Sequence, residues 1–170
     1  ITPIRGGLSV VNTEYQANDI ATKMANNSGH GYQLLHAPDN IGKKALEELV
    51  KEPVVKNALD VIGRTSIIIH SIGNAFEMAH RRKSSMEVLK VLEDKKAVSE
   101  SFGSYFDKDG NEIFKTSTIG MSFKDVDGIN NVFTIVGGEK KADAVYSYLC
   151  TKPANATLII DEAICKKIIK

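Results

Sequence analysis

The stretch at residues 132–149, VFTIVGGEKKADAVYSYL, decides the reading of the fold. Residues 132–136 form a short apolar run rich in β-branched side chains, as a strand in a covered parallel sheet requires. The run stops at Gly137 and Gly138, turns basic at Lys140 and Lys141, and resumes with apolar residues at helical spacing. A strand that feeds a helix through a glycine turn is half of a crossover unit. Glycine lets backbone N–H groups come close to an anion, and a helix N-terminus adds partial positive charge, so GGEKKAD is a candidate phosphate cradle. It also reads as a plain strand-to-helix turn with lysine for solubility, because it matches neither the GxxxxGK[ST] loop nor the GxGxxG fingerprint.

The same alternation extends outward. Apolar runs predict strands at 1–4, 32–36, 66–70, 132–136 and 157–160. Between them, residues 14–26 predict a helix with Ala17, Ile20, Ala21 and Met24 on one side, closed near Gly29. A second helix begins at Pro53 and carries Val54, Val55, Ala58, Leu59 and Ile62. Residues 74–83 and 85–95 predict a helical pair. The DKDG at 107–110 lies between two strand-like runs and predicts a β-hairpin with Gly110 at positive φ, an antiparallel addition to the sheet. With no repeat, linker or low-complexity segment, the expectation is one α/β domain: a mostly parallel, Rossmann-like sheet with an added hairpin.

Composition bounds the function. Of 170 residues, 42% are hydrophobic and 25% charged, the balance of a folded globular chain. Lys plus Arg is 22 against 21 for Asp plus Glu, a net charge of +1 that exerts no general pull on nucleic acid or an anionic membrane. An anion site must therefore be local. Cys150 and Cys165 have no zinc spacing and read as buried or half-buried thiols of a reducing compartment. No apolar run approaches the length of a membrane span, and no leader pattern precedes the chain, so the expected location is cytoplasmic. The opening ITPIRGG lacks a Met and starts as though inside a strand, which predicts a piece of a longer protein.

In open α/β sheets, ligands bind beyond the carboxyl ends of the strands. That rule selects four loops: RGG at 5–7, SIGN at 71–74, GGEKKAD at 137–143 and DEA at 161–163. Arg5 supplies a forked donor set suited to phosphate or carboxylate. Arg81 and Arg82 read by default as charges that complement a helix C-terminus, and Glu100 as a solvated loop carboxylate. Gln16, opening a helix, and Glu100 would both suit sugar hydroxyls. His70 reads as a strand residue and His80 as a surface one, neither with a second ligand at metal spacing. Asp125 and Asp127 lack the EF-hand pattern. No metal and no cofactor are expected.

The segments PIRGGL, YQAN, HSIGNAFEMAHRRK, AVSESFGSYFDKDG, IVGGEKKADA and LIIDEA follow one another across almost the whole chain. In that order they resemble the effector-binding domain of SorC-family sugar-responsive transcriptional regulators. The resemblance implies a fold similar to ribose-phosphate isomerase and glucosamine-phosphate deaminase, with the crevice used to sense a phosphorylated sugar rather than convert it. SESFG stands where typical members carry GD, which follows the glycolytic branch and implies fructose 1,6-bisphosphate as effector. It further implies contacts from Arg5, Gln16, Arg81, Glu100 and Lys141, with Gly137 and Gly138 presenting backbone to a phosphate. A homo-oligomer of dimers pairing into tetramers is implied as well. Operator DNA would be reached only through an N-terminal helix-turn-helix domain outside this chain, as would the first strand and a threonine-bearing loop of the effector domain. The rival is an active sugar-phosphate isomerase or deaminase with Glu100 or Asp161 as general base. A nucleotide- or flavin-binding module lacks its glycine fingerprint.

Overall fold

Asn131–Val136 does form a strand, and it is the middle one of three parallel strands in the computed structural model, which describes residues 1–7, 16–39 and 41–169. In chain order these are β1 (Ile67–His70), β6 (Asn131–Val136) and β7 (Ala156–Ile160), with Ile68 beside Val132 and Val132 beside Ala156. Two helices, α6 (Ala142–Thr151) and α7 (Glu162–Ile168), follow β6 and β7. Ala142, Val145, Tyr148 and Ile164 of these helices pack with Ile72, Val136, Leu158 and Ile160 into one apolar cluster. The opposite face of the sheet carries Ile67, Ile69, Ile135 and Ile159, each between 47% and 57% exposed. Parallel sheets ordinarily have both faces covered; within this unit no helix packs on the isoleucine face among the described residues.

The same compact unit, Ser66–Lys115 with Ser122–Lys170, holds a second sheet. Its antiparallel order is β2 (Gly73–Asn74), β3 (Ser99–Ser101), β4 (Ser104–Phe106) and β5 (Glu112–Lys115). The β4–β5 hairpin is the predicted one, with Gly110 at φ 83° and the Asp107 carboxylate accepting from the backbone of Asp109 and Asn111. It does not extend the parallel sheet as expected. It joins β2 and β3, strands of two and three residues that are too short to show any periodicity. Between β2 and β3 lie α4 (Ala75–Arg81) and α5 (Met86–Asp94). Asn74 and Ser85 cap their N-termini with side-chain oxygens. Ala75, Ala79 and Leu92 pack with Ala97 and Tyr105 in a second cluster. Leu92 is fully buried, which stabilises this layer by about 1.5–3 kcal/mol relative to an exposed side chain.

The other compact unit, Ile1–Thr65 with Thr116–Met121, contains α1 (Ala17–Ser28), α2 (Lys43–Leu49) and α3 (Pro53–Ile62). Pro53 stands at the predicted start of α3. The start of the predicted helix at 14–15 lies outside the described residues. On α1 the buried positions are Ala21 and Ala25, while Ile20 and Met24 are 45% and 39% exposed, so the inward stripe lies one position over from the expected one. The predicted strands at 1–4 and 32–36 do not form. Among the described residues Ile1 and Ile4 each accept one backbone bond, from Gln33 and Met121, and isolated bridges join Arg5 to Gly120 and Gly7 to Pro38. Strand-like composition without a continuous partner ladder leaves extended chain rather than sheet.

Candidate functional site

Because β1, β6 and β7 run parallel, their carboxyl ends share one edge of the sheet. That edge carries Ser71–Gly73 after β1, Gly137–Lys141 after β6 and Asp161 after β7. Gly138 adopts φ 99°, ψ 122°, a conformation glycine alone takes without strain. Its N–H donates to the Asp161 carboxylate at 2.6 Å. The other oxygen of that carboxylate accepts the Ile164 N–H at 2.9 Å and caps α7. These backbone donors, Gly138 first, hold the Asp161 carboxyl below its ordinary range. The glycine turn therefore binds an oxyanion already, a carboxylate of the chain itself. The 3₁₀ turn Glu139–Lys141 leads into α6, with Lys141 half-buried and Lys140 exposed.

Behind this edge lies a polar cluster. His70, the last residue of β1, directs Nδ1 at the Ser71 carbonyl (3.2 Å) and Nε2 at the hydroxyls of Thr134 (2.8 Å) and Tyr148 (3.3 Å). A carbonyl only accepts, so Nδ1 carries the proton and Nε2 accepts. Thr134 and Tyr148 are 2.9 Å apart and buried. The Phe102 ring stands 4.7 Å from the imidazole. Burial lowers the His70 pKa to about 4, outweighing the Ser71 bond. His70 is neutral at pH 7.

Glu100 is not the solvated loop carboxylate of the default reading. It lies in β3 opposite Gly73 and is 4% exposed. Arg82 donates to it at 3.1 Å and the Gly103 N–H at 2.6 Å, while Arg82 also donates to Tyr105 Oη at 3.3 Å. The turn that wraps this carboxylate places Phe102 at φ 52°, a rare conformation for an aromatic residue. Nor is Arg82 a solvated helix-end charge: it is buried, whereas Arg81 is exposed. The signal was present in the sequence, because Ala75, Ala79 and Arg82 fall at i, i+4 and i+7, the inward stripe of α4.

In the other unit, Arg5 pairs with Asp39 at 2.6 Å, both side chains nearly buried. The RGG segment is fastened by Gly6 N–H to Ile119 (3.2 Å), Gly7 N–H to Ala37 (2.9 Å) and Asp39 N–H to Gly7 (2.7 Å). Gln16 stands at the N-cap of α1 in extended conformation, with its carboxamide oxygen against Gly7. Arg5 and Gln16 thus both belong to this unit, with Gln16 near the RGG segment at Gly7. Arg81, Glu100, Gly137, Gly138 and Lys141 belong to the unit with the parallel sheet.

Asp125 accepts from the backbone and hydroxyl of Ser122 and caps a short 3₁₀ helix. Among the described residues no group of three His, Cys, Asp or Glu side chains could hold a metal, and no helix is long and apolar enough to cross a membrane. Cys165 is half-buried as expected, but Cys150 is exposed, and both thiols are free.

The Sugar-bind family, a sugar-binding domain, matches residues 1–170. The central glycolytic genes regulator of Bacillus subtilis (strain 168) is 38% identical over 168 residues, 99% of this chain and 49% of the relative. The regulator of the same name from Priestia megaterium is 35% identical over 99% of this chain and 48% of its own length. The chain spans about half the length of these curated relatives. The crystal structure of a SorC family transcriptional regulator from Enterococcus faecalis superposes with a TM-score of 0.91 at 37% identity, covering 99% of this chain and 68% of that one. The full-length sorbitol operon regulator from Klebsiella pneumoniae has a TM-score of 0.86 at 16% identity, over 99% of this chain and 57% of that one, a likeness of fold. These relatives are named as transcriptional regulators, not as enzymes.

Proposed function

The chain belongs to the sugar-binding domain family of SorC-type transcriptional regulators, and from that premise we propose that it is the effector-sensing part of a regulator of central glycolytic genes that binds a phosphorylated sugar, fructose 1,6-bisphosphate. The observation that carries this reading is the Gly138 N–H, which holds an oxyanion at 2.6 Å on the edge where the three parallel strands end. Gly137, Gly138 and Lys141 take one phosphate there, and the exposed Arg81 of the same unit is a further cationic contact. Arg5 of the RGG segment and Gln16 at the start of α1 are the candidate contacts of the other unit, and Glu100 and Gln16 are residue types that suit hydroxyls. Local donors of this kind are what a nearly neutral chain needs to hold a dianion.

Bound effector changes the subunit arrangement of the oligomer, and through it operator binding by a DNA-binding domain, to the extent that it binds the two arrangements with different affinity. The isomerase reading loses ground at its candidate base Asp161, whose carboxyl the backbone donors make less basic.

Thermal melting with fructose 1,6-bisphosphate, fructose 6-phosphate and glucose 6-phosphate tests the proposal. At a hundredfold excess over Kd, binding stabilises the native state by about 2.7 kcal/mol, a rise of roughly 5–11 °C for a chain near this size. A selective rise with the bisphosphate supports the reading. No rise, in the chain and in the complete regulator, removes this effector, and turnover of either monophosphate would replace sensing by catalysis.

A further inference from the structure

The exposed face of α5 carries Lys83, Glu87, Lys90 and Asp94, the first from the turn before the helix and the last at its final helical residue. Glu87, Lys90 and Asp94 are spaced by three and four residues on the helix, which aligns them in one stripe, and Lys83 precedes it from the turn at φ 49°. All four are exposed, and among the described residues none is ion-paired to another. From the turn through the helix the four charges read plus, minus, plus, minus. Read in reverse they become minus, plus, minus, plus, so the series is the electrostatic complement of itself turned end to end.

Beside it runs an open groove between α4 and α5, floored by Phe76 and Leu89 and overhung by Met86, which is 76% exposed. The groove's rim is polar, with His80, Glu87, Lys90, Glu93 and Asp94 around the apolar floor, and a flexible methionine beside it suits an adaptable contact.

We propose that α5 is a two-fold interface and that its occupant is the α5 of a second copy of this chain, packed antiparallel. With the axis between Val88 and Leu89, Glu87 of each copy meets Lys90 of the other, and Lys83 meets Asp94. Met86 of each enters the groove of its partner. The contact is isologous, so every pairing occurs twice and the assembly closes at two. Helices of this length bury little area, so the association is at the weak end of specific interfaces and weakens with salt.

The symmetry supplies a discriminating experiment by sedimentation velocity over a concentration series. Glu87→Lys sets lysine against lysine, and Lys90→Glu sets glutamate against glutamate, twice each. Each variant alone should self-associate about tenfold or more weakly than the parent chain. An equimolar mixture of the two should associate as the parent does, because a copy with two lysines then faces a copy with two glutamates. The double variant Glu87→Lys/Lys90→Glu should recover as well. Far-UV circular dichroism verifies that the variants remain folded, and the mixture provides its own control. A parent chain that stays monomeric, single variants that associate like the parent, or a mixture no tighter than its components would each overturn the proposal. Association through the exposed isoleucine face would give the second of these results.

Discussion

Asp161 and Gly138 come from the ends of neighbouring strands and are joined carboxylate to amide at 2.6 Å. The bond ties the start of α7 to the glycine turn before α6, and it fills the amide with a negative charge that an incoming phosphate must share or displace. Asp161→Asn keeps an oxygen to cap α7 and removes that charge. Fructose 1,6-bisphosphate should then bind about two- to fivefold more tightly at low salt, as expected for one charge removed at a helix N-terminus. Titration calorimetry reads this directly, and weaker binding would mean that the carboxylate assists the ligand.

Arg82 and Glu100 are a buried pair, with side chains 4% and 5% exposed. Removing one partner strands the other, so Arg82→Ala should cost about 3–5 kcal/mol in urea unfolding. Arg81→Ala, at the exposed neighbour, should stay within about 0.5 kcal/mol. The double change Arg82→Met/Glu100→Met should cost clearly less than the sum of its single changes. Strict additivity would show that the two charges do not act together.

His70 gives the stability a defined pH dependence. Its folded pKa is about 4 against an ordinary 6.5, so below 6.5 the unfolded chain binds a proton that the native chain refuses. Its contribution is complete above pH 6.5 and is lost as the pH falls toward 4, by on the order of 3 kcal/mol in all. Urea midpoints at pH 7.5 and 5.5 should differ in the parent chain, and His70→Gln should flatten that difference. Parallel curves for the two would place the titrating group elsewhere.

Lys141 is half-buried on the turn into α6, and no ion pair involves it among the described residues. Lys141→Ala should weaken bisphosphate binding by about 1.5–3 kcal/mol, the range of a charge-assisted hydrogen bond, and leave the melting temperature of the unliganded chain nearly unchanged. Arg5→Ala should weaken binding by a similar amount but lower stability too, because Asp39 loses its partner. Unaltered affinity in both variants would move the ligand away from these loops.

The strands at 67–70, 131–136 and 156–160 were legible because each is an apolar run bounded by turn residues, the helix from 53 because proline marks its start, and the pair from 75 and 86 because apolar residues recur there at helical spacing. Tyr32 and Leu34 read like a strand from composition alone, but a strand exists only with a neighbour to bond, and that neighbour is a tertiary fact. β2 and β3 were invisible for the converse reason: pairing, not pattern, makes two or three residues a strand. At the site, glycine and lysine spacing exposed the turn after β6. The acceptor of its amide is Asp161, 23 residues further on, and no local pattern connects the two. Arg82 lay within reach of a periodicity argument. Its partner Glu100 did not, since nothing before folding says which carboxylate an inward-facing arginine meets, and this one lies 18 residues away.

Ile67, Ile69, Ile135 and Ile159 stand half-exposed on a well-ordered sheet, and this alters what a routine fluorescence assay would mean. Anilinonaphthalene sulfonate brightens on exposed apolar surface, and such a signal is commonly taken as the mark of a molten state. This chain should brighten the dye while fully native, with the near-ultraviolet dichroism of its packed tyrosines intact and one cooperative unfolding transition. Ile69→Thr and Ile135→Thr should dim it without loosening the molecule. Dye binding would then report the isoleucine face of the sheet, and the dichroism the fold.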